Sequence, residues 1–273
     1  MPNLYLRFPG GLSRALTLSY DDGVRQDIRL IEIMNKHGLK GTFNLNSGFF
    51  ALNDGSHLTE KEALDLYTDC GQEIACHCHE HADLPANPPA AVAWQVLKDR
   101  ERLEALFARI VKGMAYPYGT FSPQVEDILR SCGIVFSRTT RSTHRFAIPE
   151  NWLELDPTCH HADPMLMDLA KDFAENEGRR DARLFYLWGH SYEFDRPEQG
   201  WGIIEQFAGY ISGRENIWYA TNMEVYSYVQ AYRSLICSAD GRRIFNPSLQ
   251  NVYVSIGGGK DVLCIPSGQE ITL

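Results

Sequence analysis

Residues 76–81 read Cys-His-Cys-His-Glu-His and could bind a metal ion. His77 and His81 are four positions apart, so on one helical turn they would share a face and reach a single ion. An extended strand would instead present His77, His79 and His81 together. A cysteine-rich structural zinc site is an alternative, but it needs a second pair of ligands, and Cys-His-His at 159–161 has poor spacing for that role. The histidines therefore require a further ligand from elsewhere in the chain.

Two adjacent carboxylates, Asp21 and Asp22, are the best source of that ligand. The preceding residues 15–20 read ALTLSY, which predicts a strand that ends at an Asp-Asp-Gly turn. In α/β folds, ligands bind at the carboxyl ends of the parallel strands. Two neighbouring carboxylates there can divide the work, one binding the metal and the other accepting a proton from water. An Asp-Asp-Gly turn alone is common, but together with the histidines it indicates a hydrolytic metal site.

Strand-like and helix-like segments alternate along the chain up to residue 233. Apolar alternation and turn residues predict strands at 15–20, 40–45, 72–75, 113–118, 134–138, 184–188 and 217–220. Apolar residues at helical spacing predict helices at 27–37, 59–69, 90–107, 122–132, 202–212 and 223–233. Such alternation implies parallel pairing, so we expect a β/α barrel or an open α/β sheet. Glycine turns around short apolar runs predict a small antiparallel β appendage at 234–273.

The composition is that of an ordinary globular chain. Its 273 residues are 44% hydrophobic and carry a net charge of -9 without clustered lysines or arginines, which argues against a nucleic-acid partner. The N-terminus lacks a basic region followed by an apolar run, and no segment approaches the length of a membrane span. We therefore expect no membrane partner and a cytoplasmic location. The seven irregularly spaced cysteines are expected to be reduced thiols.

Four short motifs occur in an order that resembles one known family. Ser-Tyr-Asp-Asp-Gly at 19–23 is similar to a Thr-Phe-Asp-Asp-Gly motif, and Gly-Gln-Glu-Ile followed by the two histidines, within 71–81, is similar to a His-(Ser/Thr)-x-x-His motif. Ala-Tyr-Pro-Tyr-Gly at 115–119 partly matches Arg-Pro-Pro-Tyr-Gly, and Leu-Trp-Gly-His at 187–190 has one residue more than Leu-x-His. Across residues 14–225, the chain resembles the polysaccharide deacetylases of carbohydrate esterase family 4, the NodB-like deacetylases.

The resemblance implies a fold and a metal site. The fold would be a distorted (β/α)7 barrel over residues 1–233, followed by the small antiparallel appendage at 234–273. One divalent metal ion would be bound by Asp22, His77 and His81. We expect zinc, although cobalt, manganese, nickel and ferrous iron suit the same two imidazoles and one carboxylate.

The resemblance also implies catalytic roles. Asp21 would be the general base, and His190 would be the general acid that protonates the leaving amine. The backbone N–H of Tyr118 would help to stabilise the oxyanion. Pro117 and Gly119 would shape the loop that carries it and would contact the substrate.

The chain departs from the family pattern at Ala115, where the family has an arginine that pairs with the base. Arg138 or Arg141, in the run SRTTRST after a later strand, could substitute. Asp156 could orient the acid histidine, but a surface Asp-Pro turn is an equal alternative.

Aromatic and imidazole side chains near the motifs could line the substrate site. Trp188 and Tyr192 could stack against sugar rings, with packing in the core as the alternative. His79 is expected to be a wall of the site rather than a metal ligand.

These features together predict a metal-dependent hydrolase that removes acetyl groups from an N-acetylated, or less readily an O-acetylated, sugar or polysaccharide. One alternative is hydrolysis of a small cyclic or linear amide, as in allantoinase-like and imidase-like relatives of this fold. Others are a catalytically silent carbohydrate-binding relative and a structural zinc module. The expected partner is a carbohydrate or small amide substrate, and homo-oligomerisation is left open.

Overall fold

The computed structural model describes residues 3–176, 180–197, 200–259 and 261–273. Its strands in chain order are β1 (Leu4–Arg7), β2 (Arg14–Asp21), β3 (Gly41–Leu45), β4 (Glu73–Cys76), β5 (Gly113–Ala115), β6 (Phe136–Arg138), β7 (Cys159–His160), β8 (Arg183–Gly189), β9 (Ile217–Tyr219), β10 (Ile236–Cys237), β11 (Arg243–Phe245), β12 (Val252–Ile256), β13 (Val262–Ile265) and β14 (Glu270–Thr272). Its α-helices are α1 (Asp27–Lys36), α2 (Glu60–Tyr67), α3 (Pro89–Phe107), α4 (Pro123–Ser131), α5 (Leu166–Glu175), α6 (Gly202–Ile211) and α7 (Asn222–Arg233).

Strands β2 to β9 form one sheet that curls into an incomplete barrel. The order along it is β6-β5-β4-β3-β2-β8-β7, and β9 lies beside the first residues of β2. All of these pairings are parallel. Beyond the outer strand β6, Leu155, in the segment that leads to β7, forms a parallel bridge with Arg138. The expected distorted barrel of seven strands is therefore confirmed, with β9 as an additional strand.

The centre of this sheet is buried on both faces. All eight residues of β2 are buried, as parallel strands covered by helices require. Gly41 allows helix α1 to pack closely on β2 and β3. A Cβ atom at this position would lie 2.8 Å from the Leu18 carbonyl oxygen and 2.9 Å from Met34 Cε. A larger residue would push the first helix away from the sheet.

Capping boxes fix the starts of helices α2 and α7. Thr59 accepts a hydrogen bond from the Glu62 backbone N–H, and Thr221 does the same with Glu224 at the start of α7. In both cases the glutamate carboxylate accepts the backbone N–H of the threonine, which completes a capping box.

Among the described helices, none combines the length and the apolar character needed to cross a membrane.

Helix α5 and strands β1 and β7 have no counterpart in the sequence predictions. Helix α5 buries Leu166, Leu169 and Phe173 at helical spacing, so its signal is present in the sequence. Strand β7 has only two residues and exists because it pairs with β8, which no local pattern announces. The strand predicted at 113–118 ends at Ala115, because Pro117 cannot donate a backbone hydrogen bond.

The C-terminal segment forms two small antiparallel sheets, ordered β1-β12-β13 and β10-β11-β14, so the expected antiparallel appendage is confirmed. The first sheet includes β1 from the start of the chain, with Leu4 opposite Ile256. Tyr228 on α7 joins both parts, because its hydroxyl donates to the Arg7 carbonyl at 2.9 Å and accepts from the Tyr253 backbone N–H at 3.0 Å. The domain boundary at 234 stays a prediction.

Candidate functional site

The predicted site residues lie where strands of the barrel end. Asp21 is the last residue of β2 and Asp22 follows it; His77 follows β4, and His190 follows β8. The carboxyl ends of parallel strands share one edge of the sheet, so residues far apart in sequence meet there. Asp21 Oδ2 lies 3.9 Å from His77 Nε2 and 3.8 Å from His190 Nε2.

Asp22, His77 and His81, which we call the metal triad, have the geometry of a site for one cation. The Asp22 Oδ1 atom lies 3.6 Å from His77 Nε2 and 3.8 Å from His81 Nε2. Ligands bound to one zinc ion at about 2.1 Å lie roughly 3–4 Å apart, which matches these separations. Asp22 Oδ1 is buried and has no hydrogen-bond partner among the described residues. Because a buried carboxylate oxygen is costly when unpaired, these residues fit a divalent cation.

The ring of His77 is held in the orientation that a metal ligand needs. Its Nδ1 donates to the backbone carbonyl of Ala115 at 2.9 Å, so the proton is on Nδ1 and the Nε2 lone pair faces Asp22. Hydrogen bonds of this kind fix the tautomer and orientation of metal-binding histidines. The Ala115 position thus contributes its carbonyl group to the site, although its side chain is a methyl group.

The triad is assembled by left-handed backbone conformations, not by a helical turn. Asp22 has φ 80°, Cys78 64°, His81 54° and Tyr118 59°. Such values are uncommon for residues other than glycine, and they concentrate at binding and catalytic sites. In this turn the His79 ring lies 2.9 Å from Ser47 Oγ through Nδ1 and packs edge-on against Trp94. His79 is therefore placed beside the triad rather than in it.

Asp21 is paired with Arg138. Both side chains are almost completely buried, and a guanidinium nitrogen donates to Asp21 Oδ2. Asn44 Nδ2 donates to the other oxygen at 2.8 Å. Burial raises the pKa of Asp21, but the charges of Arg138, His77 and His190 and the Asn44 hydrogen bond outweigh it, so the pKa is lowered. Asp21 is an ionised acceptor.

Arg138 reaches Asp21 from β6, the neighbour of β5, and β5 carries Ala115 in place of the family arginine. The two residues are direct register partners in the pairing of β5 with β6. Arg141, the other candidate, instead pairs on the surface with Glu154 at 2.6 Å and Asp156 at 3.0 Å. Of the two arginines, the structure brings Arg138 to the carboxylate.

The carboxylate beside His190 is Glu193, and not Asp156 as considered from the sequence. Glu193 Oε2 lies 3.5 Å from His190 Nδ1, whereas Asp156 accepts hydrogen bonds from Thr139 and Arg141. Burial lowers the pKa of His190, but the Glu193 carboxylate and the charges of Asp21 and Asp22 outweigh it and raise the pKa. The only sequence signal for Glu193 is its position one turn after the histidine.

The loop predicted to stabilise the oxyanion is a tight turn over Pro117–Gly119. Pro117 is buried. Gly119 has φ 72°, and a Cβ atom there would lie 2.1 Å from Thr140 Oγ1, so only glycine fits. The Tyr118 side chain is 65% exposed, and its ring centroid lies 4.5 Å from that of His81. The role of the Tyr118 N–H stays a prediction.

The two aromatic residues near His190 differ in exposure. Trp188 is only 8% exposed, and the Arg138 guanidinium lies 4.3 Å from its ring centroid, which favours the alternative of core packing. Tyr192 is partly exposed, and its ring lies 5.2 Å from that of His190. Tyr192 and Tyr118 are therefore the better-placed aromatic surfaces for a substrate.

Comparisons with known proteins give one family match and several similar folds. Residues 10–137 match the family model described as polysaccharide deacetylase, and no match was found among curated proteins. A candidate polysaccharide deacetylase from Mycobacterium smegmatis is 15% identical over 85% of this chain and 96% of that one, with a TM-score of 0.60. A family 4 carbohydrate esterase from Streptomyces lividans, in complex with acetate, is 13% identical over 77% and 93%, with a TM-score of 0.53.

A third structure with a similar fold is named as a pseudoenzyme. It is BA3943 from Bacillus anthracis, named a CE4 family pseudoenzyme, which is 16% identical over 81% of this chain and 67% of that one, with a TM-score of 0.51. At such identities these likenesses describe the fold alone. Residues 10–137, which match the polysaccharide deacetylase family model, include Asp21 and the metal triad.

Proposed function

We propose that this chain is a metal-dependent deacetylase that hydrolyses the acetyl amide of an N-acetylated sugar or polysaccharide. The observation that carries the proposal is the meeting of three groups at one edge of the barrel. These are the metal triad with its unpartnered carboxylate oxygen, the ionised Asp21, and His190 facing Asp21 at 3.8 Å. Amide hydrolysis needs this combination of an electrophilic centre, a base and an acid.

The metal triad would hold the cation, and zinc suits two imidazoles and one carboxylate. When bound, a divalent cation supplies Lewis acidity, which favours deprotonation of water and polarises an acyl carbonyl. The fixed tautomer of His77 and the strained backbone of Asp22 and His81 support a site that is preorganised for that ion.

Asp21 and His190 divide the proton transfers in this proposal. Asp21 accepts a proton from the attacking water as the water oxygen bonds to the acyl carbon, and Arg138 holds Asp21 ionised and oriented. His190 gives the proton on Nε2 to the nitrogen of the departing amine as the C–N bond breaks. Its raised pKa keeps this proton available near neutral pH. The products are acetate and the free amine.

The fold is shared with a protein named as a pseudoenzyme, so the site and not the fold must support catalysis. Here the triad, the base and the acid are all present, and Arg138 supplies the cation that Ala115 lacks. This set supports an active enzyme over a silent carbohydrate-binding relative.

The test is acetate release from N-acetylated chitooligosaccharides and from O-acetylated glycans, using metal-stripped chain reloaded with zinc. We expect release that depends on the metal and falls sharply in Asp21→Asn. A parallel panel of cyclic ureides and imides checks the small-amide alternative. Turnover of that panel alone, or binding of glycans without turnover, would replace the proposal with the corresponding alternative.

A further inference from the structure

A second group of histidines surrounds Glu193, and we call it the Glu193 cluster: His160, His161, His190 and Glu193. His160 Nε2 lies 3.0 Å from Glu193 Oε2, and His161 Nε2 lies 3.2 Å from the same oxygen. Ligand atoms of His160, His190 and Glu193 lie within 4.8 Å of one another, as do those of the metal triad. Residue types and spacing alone therefore allow either a second metal ion or a hydrogen-bonded group that holds protons.

The hydrogen bonds of the Nδ1 atoms of His77 and His160 distinguish the metal triad from the Glu193 cluster. His77 Nδ1 faces a carbonyl oxygen, which can only accept, so its Nε2 is free to bind a cation. His160 Nδ1 instead accepts a hydrogen bond from the Ala162 backbone N–H at 3.1 Å. His160 must therefore carry its proton on Nε2, where it donates to Glu193. A protonated ring nitrogen has no lone pair for a metal ion.

We propose that Glu193 is a positioning residue that holds the Nδ1–H of His190, that His160 donates to Glu193 and fixes it, and that the cluster binds no second metal. This inference rests on the proposed deacetylase function. With Nδ1 held in this way, Nε2 of His190 faces Asp21 at 3.8 Å. The proton given to the departing amine comes from Nε2, while the Nδ1 proton stays with Glu193.

The surroundings of Glu193 favour an ionised carboxylate. The residue is 8% exposed, and its second oxygen lies 3.3 Å from Arg196 Nη1. Burial raises the pKa of Glu193, but the hydrogen bonds from His160 and His161 and the adjacent His190 outweigh it and leave the pKa well below its usual range. A buried carboxylate with this many donors stays ionised.

Gly189 makes room for the cluster. A Cβ atom at this position would lie 2.0 Å from His161 Nδ1, so a side chain here would displace the histidine that packs beneath Glu193. Gly189 directly precedes His190 in the last motif, which has one residue more than Leu-x-His.

The experiment uses Glu193→Leu, His160→Gln and His160→Ala in the full chain. Imidazole ¹⁵N spectra, recorded at a pH where the His190 ring is neutral, should show the Nδ1–H form of His190 and the Nε2–H form of His160 in the unsubstituted protein. In Glu193→Leu, which removes the acceptor, the Nδ1–H preference of His190 should be lost. With zinc, kcat should fall roughly 10- to 100-fold while KM changes less than about 2-fold. His160→Gln, which keeps a donor, should retain more kcat than His160→Ala.

The matched control is His144→Ala, which removes another histidine paired with a carboxylate, Asp163, at 2.7 Å. It should leave the His190 spectrum and kcat unchanged. The proposal is overturned if the chain binds a second zinc ion that Glu193→Leu loses, or if the His190 tautomer is the same in Glu193→Leu. If no substrate is turned over, the proposed function fails while the spectra still decide this point. If Glu193→Leu does not fold, the two His160 variants decide it.

Discussion

Buried polar groups at the two ends of the barrel's parallel strands differ in their hydrogen bonding. At the carboxyl ends, Asp22 Oδ1 is buried without a hydrogen-bond partner among the described residues. Where β3 and β4 begin, Glu73 accepts from Thr42 Oγ1 at 2.7 Å and from the Met223 backbone N–H at 2.9 Å, and the Gln72 side-chain carbonyl accepts from the Gly41 N–H at 2.8 Å. The starting edge satisfies these polar atoms internally, whereas the carboxyl edge keeps an oxygen for a ligand. The first edge contributes to stability and the second to chemistry.

The largest expected effect is at the unsatisfied carboxylate. Asp22→Asn should weaken zinc binding and lower kcat/KM by about 10³-fold or more, because Lewis acidity supplies several kcal/mol. The free energy of unfolding without metal should not fall, since Asp22 Oδ1 has no partner among the described residues. Metal analysis, kinetics and urea denaturation measure the three quantities.

Asp21→Asn is the matched control for that experiment. It should keep the metal and still lose about 10²- to 10⁴-fold in kcat as the loss of a general base. Loss of zinc in Asp21→Asn, with zinc retained in Asp22→Asn, would reverse the assignment of the two carboxylates.

The next effect compares two arginines, Arg138 at the end of β6 and Arg141 three residues beyond it. Arg138→Met leaves Asp21 buried without its cation and should cost about 3–5 kcal/mol in the free energy of unfolding. Arg141→Met removes exposed ion pairs and should cost less than about 1 kcal/mol. Urea denaturation of both variants checks this, and equal costs would show that Arg138 does not compensate a buried charge.

A smaller effect concerns the turn that carries Tyr118. Gly119→Ala places a methyl group 2.1 Å from Thr140 Oγ1 and should cost about 1–3 kcal/mol of stability as well as lower kcat. Gly213→Ala is the control, because Gly213 has a similar φ of 67° but, in the part of the chain that the structure describes, no atom lies within 4 Å of an added Cβ. Its cost should be that of the backbone conformation alone, about 1 kcal/mol. Thermal denaturation with kinetics would contradict this if the two variants behaved alike.

The smallest effect is expected at the starting edge. Burial, which outweighs the hydrogen bonds from Met223 and Thr42, raises the pKa of Glu73 to about 7. The folded chain therefore binds this proton more tightly than the unfolded chain, and the resulting stabilisation is lost as the pH rises from 4.5 through about 7. Glu73→Gln should match the unsubstituted protein near pH 5 within about 1 kcal/mol, show a flatter pH dependence of stability, and leave kcat unchanged. A steeper dependence in the variant would contradict the shift.

The sequence predicts most helices and strands, and it predicts the site residues that directly follow a strand. Residues 15–20 and 72–75 have strand patterns, and these patterns alone place Asp22 and the 77–81 histidines at strand ends. The backbone that joins His77 to His81 is not predictable in this way, because its left-handed residues are not glycines. Helix α5 is absent from the predictions although its apolar spacing is regular.

Contacts between distant positions lie beyond local patterns. Arg138 is one of two candidates, and only the β5–β6 register separates it from Arg141. Glu193 contacts His160, which is distant in sequence. Apart from its position one turn after His190, nothing in the local sequence distinguishes Glu193 from Asp156 as the partner of that histidine. Tertiary packing, rather than motif spacing, selects these side chains.

The register pairing of Ala115 with Arg138 has a consequence for how such chains are recognised. Adjacent strands of a sheet are about 4.8 Å apart, so a long side chain can deliver its charge to the same point from either of them. A search that scores only the residue type at position 115 would conclude that this chain has lost the arginine that pairs with the base. Inspection of both neighbouring strands would instead find the counter-ion at the same register position one strand away, still paired with Asp21.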